Sequence, residues 1–189
     1  MNIRKPTKEY IMRVVRRNWD TYFSDTDPAL SKVFKAFPKN KEFSEVLIKV
    51  VLLDRLYHVN IFKPYAVARH IVHLSVDKAL SEGTIDIVGK IARVKIGSQS
   101  KYFYSFATKY CNWHSPNKFF IYDSFVDYIL REYKRKFHFM EFSPEDLREY
   151  ERYHRILLNF MDFFHLDSIS KKTLDEFLWL EGKRIKKEL

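Results

Sequence analysis

Trp113-His114-Ser115-Pro116-Asn117-Lys118-Phe119-Phe120-Ile121-Tyr122-Asp123-Ser124-Phe125-Val126 closes one apolar helix, crosses a loop containing Pro116 and Asn117, and opens a second apolar helix. A lone carboxylate, Asp123, sits where that second helix starts. Asp is a preferred N-cap, because its side chain accepts backbone N–H groups that the first helical turn leaves without partners. Two readings of Asp123 therefore stand side by side. In one it only caps the helix over 124–136; in the other it is a catalytic acid or base held rigidly at the mouth of a cleft.

Working outward, 4 Gly and 6 Pro punctuate 189 residues, and apolar side chains recur at spacings of three and four almost throughout. That period predicts a compact, all-α, multi-helix fold in a single domain over 1–189, with no alternating strand pattern. Thr7 is the expected N-cap of a first helix reaching Phe23, whose Arg13, Arg16 and Arg17 make a basic face. A turn at Ser24–Pro28 leads into Ala29–Phe37. From Glu42 to Tyr57 the residues Phe43, Val46, Leu47, Val50, Val51 and Leu53 are apolar nearly all round, as expected of a central helix. It ends at Tyr57-His58-Val59-Asn60, where Asn60 suits either C-capping or reading a base edge.

Pro64 opens a helix to Leu74 carrying His70 and His73. That spacing can ligate a metal, but no acidic or cysteine partner lies nearby, so no metal site is expected. A short helix over Gly83–Val94 is followed by Lys95-Ile96-Gly97-Ser98-Gln99-Ser100-Lys101 and then by the helix from Tyr102 to Trp113. Two helices joined by a Gly-containing hairpin, the second with a Ser-rich start near Ser98 between Lys95 and Lys101, make a phosphate cradle of backbone amides and helix dipole. The same residues also make a plain helix-turn-helix corner capped by Ser98. Beyond Asp123, the 124–136 helix ends in Lys134-Arg135-Lys136. Ser143-Pro144 starts a long helix to Phe164, and a last helix from near Ser170 fades into Gly182–Lys187.

Lys and Arg number 34 against 24 acidic residues, a net charge of +10, which favours a polyanionic partner, nucleic acid first. Aromatics reach 17% of the chain and can stack on bases or fill a core. No apolar run is long enough to span a bilayer and no secretory signal opens the chain, so a cytoplasmic protein with no membrane partner is expected. Cys111 is the single cysteine, which leaves no internal disulfide and no thiolate-rich zinc site. No cofactor is expected.

The order over residues 42 to 136 resembles the helix-hairpin-helix superfamily of DNA glycosylases: an apolar helix ending in a wedge-like loop, a hairpin flanked by lysines, a further helix, and a loop delivering one Asp to the next helix. The resemblance implies a double-stranded DNA partner gripped by Lys95, Gly97, Ser98, Gln99, Ser100 and Lys118. It implies a base pocket drawn from Tyr57, His58, Asn60, Trp113, His114 and Tyr122, with Asp123 as the catalytic carboxylate. Lys101 falls near the place of the Schiff-base lysine of bifunctional members. The hairpin keeps one glycine, Gly97, where the family's has two.

The implied activity is that of a monomeric, monofunctional glycosylase in base repair or phage defence, which extrudes a damaged or modified base and leaves an abasic site. Breaking the bond between base and sugar leaves positive charge on the sugar, which one carboxylate stabilises. Extruding the base costs a few kcal/mol and calls for stacking partners. The alternative is a non-catalytic, basic helical protein that binds nucleic acid or regulates, in which Asp123 is a cap alone.

Overall fold

In the computed structural model, which describes residues 3–187, the chain forms ten α-helices and one two-stranded sheet. The order is α1 (Lys8–Tyr22), α2 (Thr26–Ala36), α3 (Phe43–Tyr57), α4 (Pro64–Leu74), α5 (Asp77–Glu82), α6 (Ile87–Ala92), β1 (Arg93–Ile96), β2 (Gln99–Tyr102), α7 (Tyr104–His114), α8 (Ser124–Phe137), α9 (Tyr150–Phe163) and α10 (Lys171–Lys187). The fold is all-α in class, with a small hairpin. It divides into two compact units: a central one over Ser24–Phe119, and a terminal one made of the chain up to Phe23 and from Phe120 onward.

In the central unit α7 packs against α2, α3, α5 and α6. Its residues from Phe106 to Asn112 are all buried. Three of them are polar, and each is satisfied within the unit. Thr108 Oγ1 donates to the Ser105 carbonyl at 2.9 Å, Lys109 Nζ to Ser105 Oγ at 2.6 Å, and Asn112 Nδ2 to the Phe119 carbonyl at 2.7 Å. Central placement was expected of α3 on its apolar content. Instead α3 leaves Ile48 46% and Val51 40% exposed while burying Lys49 completely. Burial follows which face has partners, and the Lys49 ammonium is tolerated inside because internal hydrogen bonds offset part of its desolvation cost.

The hairpin corrects the expectation of a helix pair around Gly97. The first helix stops at Ala92, β1 and β2 pair antiparallel from Arg93↔Tyr102 to Ile96↔Gln99, and α7 begins only at Tyr104. Gly97 takes φ 64 in a two-residue Gly-Ser loop, which suits the twist of a tight hairpin. Ser98 is thus a turn residue and not a helix cap. Ser100 and Lys101 lie in a strand, so the cradle of helical amides expected there does not exist.

In the terminal unit α10 packs against both α8 and α1. Its helix does not fade at Gly182 but runs on to Lys187, with Gly182 buried. A Cβ built at Gly182 would stand 2.7 Å from the carbonyl carbon of Phe125, so the glycine is there to let α10 approach the start of α8. Aromatic rings fill much of the remaining core. Phe160 lies 4.7 Å from Phe164, 5.1 Å from Tyr133 and 5.2 Å from Phe139, centroid to centroid. The long helix expected from Pro144 begins instead at Tyr150, after a 3-10 turn over Asp146–Arg148. Ser143 and Asp146 bond each other's backbone N–H groups at that start.

Candidate functional site

Asp123 ends a short extended segment that is tied down residue by residue. Phe120 N–H donates to the Tyr150 hydroxyl at 2.9 Å, and that hydroxyl donates back to the Phe120 carbonyl at 3.1 Å. Ile121 N–H donates to Asp175 Oδ2 at 3.1 Å, and its carbonyl accepts from the Tyr153 hydroxyl at 2.6 Å. Tyr150, Tyr153 and Asp175 are themselves buried, on α9 and α10. Asp123 then takes extended φ −144, ψ 155, and its Oδ1 accepts the Phe125 N–H at 2.9 Å as the N-cap of α8. Buried side chains thus hold the backbone that delivers this carboxylate.

Tyr122 turns to α8. Its hydroxyl donates to Asp127 Oδ2 at 2.9 Å, and Arg131 Nε donates to the other oxygen of Asp127 at 2.9 Å. Burial, with the Asp127 carboxylate second, pushes the Tyr122 phenol up to about 12.

The other residues expected in a base pocket belong to the central unit. Trp113 Nε1 donates to the Tyr57 hydroxyl at 3.0 Å, so these two are brought together. The Tyr57 ring also lies 5.2 Å from the ammonium of buried Lys109, which bonds Ser105 one turn earlier. Nothing in the sequence reading pointed to Lys109 or Ser105. The available signal was a lysine inside a helix whose neighbours Phe106, Ala107, Tyr110 and Cys111 are apolar, four residues after a serine.

His58 and Asn60 take left-handed backbone at the end of α3, with φ 51 and 61. His58 N–H closes that helix on the Asp54 carbonyl. His114 faces inward. Its Nε2 lies 3.4 Å from Lys49 Nζ, and burial, reinforced by the Lys49 charge, pulls the imidazole down to about 3. Lys118 lays its alkyl chain across Gly83 and bonds the Ser81 carbonyl at the end of α5.

The hairpin register decides which cations act together. Lys95 pairs with Ser100 and Val94 with Lys101, so Lys95 and Lys101 point to opposite faces of the ribbon. On the Lys95 face, α4 and the hairpin enclose a groove of about 580 Å³, lined by Tyr65, Arg69, His73, Arg93, Lys95 and Ser100 among others, and by no carboxylate. Aromatic rings support the cations: the Arg69 guanidinium lies 5.6 Å from the Phe43 ring, and Arg93 lies 5.9 Å from Tyr102. Tyr102 stacks on Tyr104 at 5.8 Å with 6° between planes. Tyr65 and Tyr102 remain 48% and 49% exposed, and Phe62, just before α4, is 83% exposed. His70 also lines the groove, with its Nε2 2.8 Å from the Lys90 carbonyl oxygen. Among the described residues no three His, Cys, Asp or Glu side chains are grouped to hold a metal ion, and no helix is long and apolar enough to cross a membrane.

The sequence model of the HI_0787_N family, described as an N-terminal domain, matches residues 7–118. The chain belongs to this family. The family domain takes in α1 and then the central unit almost to its last residue, Phe119, so the hairpin, the groove and α7 lie within it. Asp123 and its anchoring segment follow it. The chain is similar to an uncharacterized protein of Haemophilus influenzae strain Rd, 40% identical over 141 residues that cover 74% of this chain and 67% of that protein. No solved structure matches the chain.

Proposed function

We propose that this protein is a DNA-binding, monofunctional DNA glycosylase, acting as a monomer in the cytoplasm, with Asp123 as its catalytic carboxylate. The observation that carries the reading is the anchoring of Phe120 and Ile121 by Tyr150, Tyr153 and Asp175. A carboxylate that stabilises a developing positive charge contributes most when it needs no reorganisation, and buried second partners supply that rigidity. The α4–hairpin groove supports the DNA partner. Its cations offer the phosphate contacts that dominate affinity, and its exposed tyrosines offer faces for stacking. With the helical cradle gone, the grip falls to side chains: Arg69, Arg93 and Lys95 in place of backbone amides.

In this reading the base leaves the stack, the bond from sugar to base breaks, and the carboxylate of Asp123 stabilises the cationic sugar and orients the attacking water, leaving an abasic site. Lys101, exposed on β2, takes no covalent part.

A second reading has its own observation. Asp123 already caps α8 through Phe125 N–H, so the protein can bind nucleic acid with no chemistry at all.

The test is to incubate wild type and Asp123→Asn with duplexes carrying a panel of damaged and modified bases and to assay for abasic sites. Asn also caps helices well, so the fold should persist. Base release by wild type that disappears in Asp123→Asn, with DNA affinity unchanged and no borohydride-trapped adduct in either protein, is the expected result. Binding without base release across the whole panel leaves the second reading.

A further inference from the structure

A second basic groove lies wholly within the terminal unit, between α1 and α10, and its volume is about 580 Å³. We infer that it is a separate binding site for nucleic-acid phosphates. The inference rests on the nucleic-acid reading above, but on none of the residues used there.

Arg13 and Arg17 form a row on α1, and Lys183 and Lys187 a row on α10. Residues four apart on a helix are about 6 Å apart along its axis, so each wall carries cations on successive turns. Arg4 adds a fifth charge. Ring faces hold several of these cations in place. Arg4 and Arg13 lie 5.8 and 5.6 Å from the Tyr10 centroid, while Lys183 lies 4.1 Å from Tyr22 and 4.5 Å from Trp179.

The one carboxylate of the lining, Glu181, is 1% exposed. Both its oxygens are taken by Arg184, at 3.1 and 2.8 Å. It therefore neutralises Arg184 and leaves the other five cations facing the groove. Among the described residues no carboxylate forms an ion pair with Arg13, Arg17 or Lys183. A concave, cation-walled channel fits a threaded phosphate chain. A membrane surface would call for a protruding face with apolar side chains to insert.

Full-length Arg13→Glu/Arg17→Glu is the test, with affinity for labelled single- and double-stranded oligonucleotides measured by fluorescence anisotropy over a range of salt. Both side chains are solvent-exposed, so the thermal melt should match wild type. Affinity should fall at least about tenfold near 0.1 M salt, and the slope of log affinity against log salt should shrink by about two, one for each lost phosphate contact. Arg13→Gln/Arg17→Gln, which removes charge without adding repulsion, should give a smaller loss in the same direction.

Wild type that binds DNA while Arg13→Glu/Arg17→Glu binds it equally well with the same slope overturns the inference and leaves the α4–hairpin groove standing. Retention on phosphatidylserine vesicles that depends on Arg13 and Arg17, with no change in oligonucleotide affinity, overturns it in favour of a membrane surface. Wild type that binds no nucleic acid at all removes the nucleic-acid reading itself.

Discussion

Lys49 Nζ stands 3.4 Å from His114 Nε2, and the carbonyls of Phe37 and Lys39 and the Asn40 side chain complete the ammonium's shell at 2.9, 2.8 and 2.7 Å. Asn40 is held in turn by Asp77, through its N–H at 3.0 Å and its amide at 2.8 Å, and it also accepts from the Tyr110 hydroxyl. A buried, saturated ammonium beside an imidazole keeps that imidazole neutral, since a second proton would put two cations in contact without water.

The His114 imidazole, at about 3 in the fold against 6.5 ordinarily, makes stability fall with acid. Between these values the unfolded chain binds the extra proton and the folded chain does not, so stability present above pH 6.5 is lost as pH drops toward 3. The loss is on the order of 4 kcal/mol at the low end. Urea denaturation at successive pH values should show it, and His114→Gln should flatten this part of the profile.

Lys49 acts at the other end of the scale. Burial lowers it from 10.5 to about 8, so from pH 8 to 10.5 the unfolded state again holds more protons, and stability should rise with pH over that window. Lys49→Met should remove the rise, as read by the same denaturation series in alkaline buffers.

Gly182→Ala should destabilise the terminal unit by about 3 kcal/mol, the upper part of the range for overpacking. Its Cβ would meet backbone of Phe125, which cannot swing away as a side chain does. A lowered urea midpoint for Gly182→Ala, beside a midpoint for Gly89→Ala that is slightly raised, because nothing lies within 4 Å there and Ala favours the helix over Gly, would establish the cause.

Tyr153→Phe removes the 2.6 Å bond to the Ile121 carbonyl and leaves the ring in place. The stability cost should be about 1–2 kcal/mol, for a lost buried hydrogen bond. Under the proposed glycosylase function, base release should fall by a larger factor than the melt implies, and through turnover more than substrate affinity, because the segment delivering Asp123 is loosened.

Under the proposed nucleic-acid function, Arg93→Glu/Lys95→Glu should weaken DNA binding at least about tenfold. Lys101→Glu, on the opposite face of the ribbon, should weaken it less. Equal losses from the two variants, measured by anisotropy at one salt concentration, would mean that the groove face is not the face in use.

Several features were legible in the sequence because local chemistry dictates them. Thr7 caps α1 with its hydroxyl on Tyr10 N–H, Pro64 opens α4, and Asp123 caps α8. The hairpin was equally local, since Arg-Val-Lys-Ile followed by Gly-Ser is an alternating run meeting a two-residue turn. Its strands are only four residues long, too short to stand out against a helical period read over longer windows.

What the sequence by itself determined is the helical class, the starts of α1, α4 and α8 and the basic charge, because capping, periodicity and charge are properties of neighbouring residues. Tertiary structure alone decided which polar groups went inside and what they hold. The pairing of Lys49 with His114, of Lys109 with the Tyr57 ring, and of Tyr153 with Ile121 depends on segments far apart in the chain, and these contacts required partners that only packing could supply. Whether Gly182 ended a helix or admitted a neighbour was settled in the same way, by the backbone of Phe125 arriving where a side chain would have been.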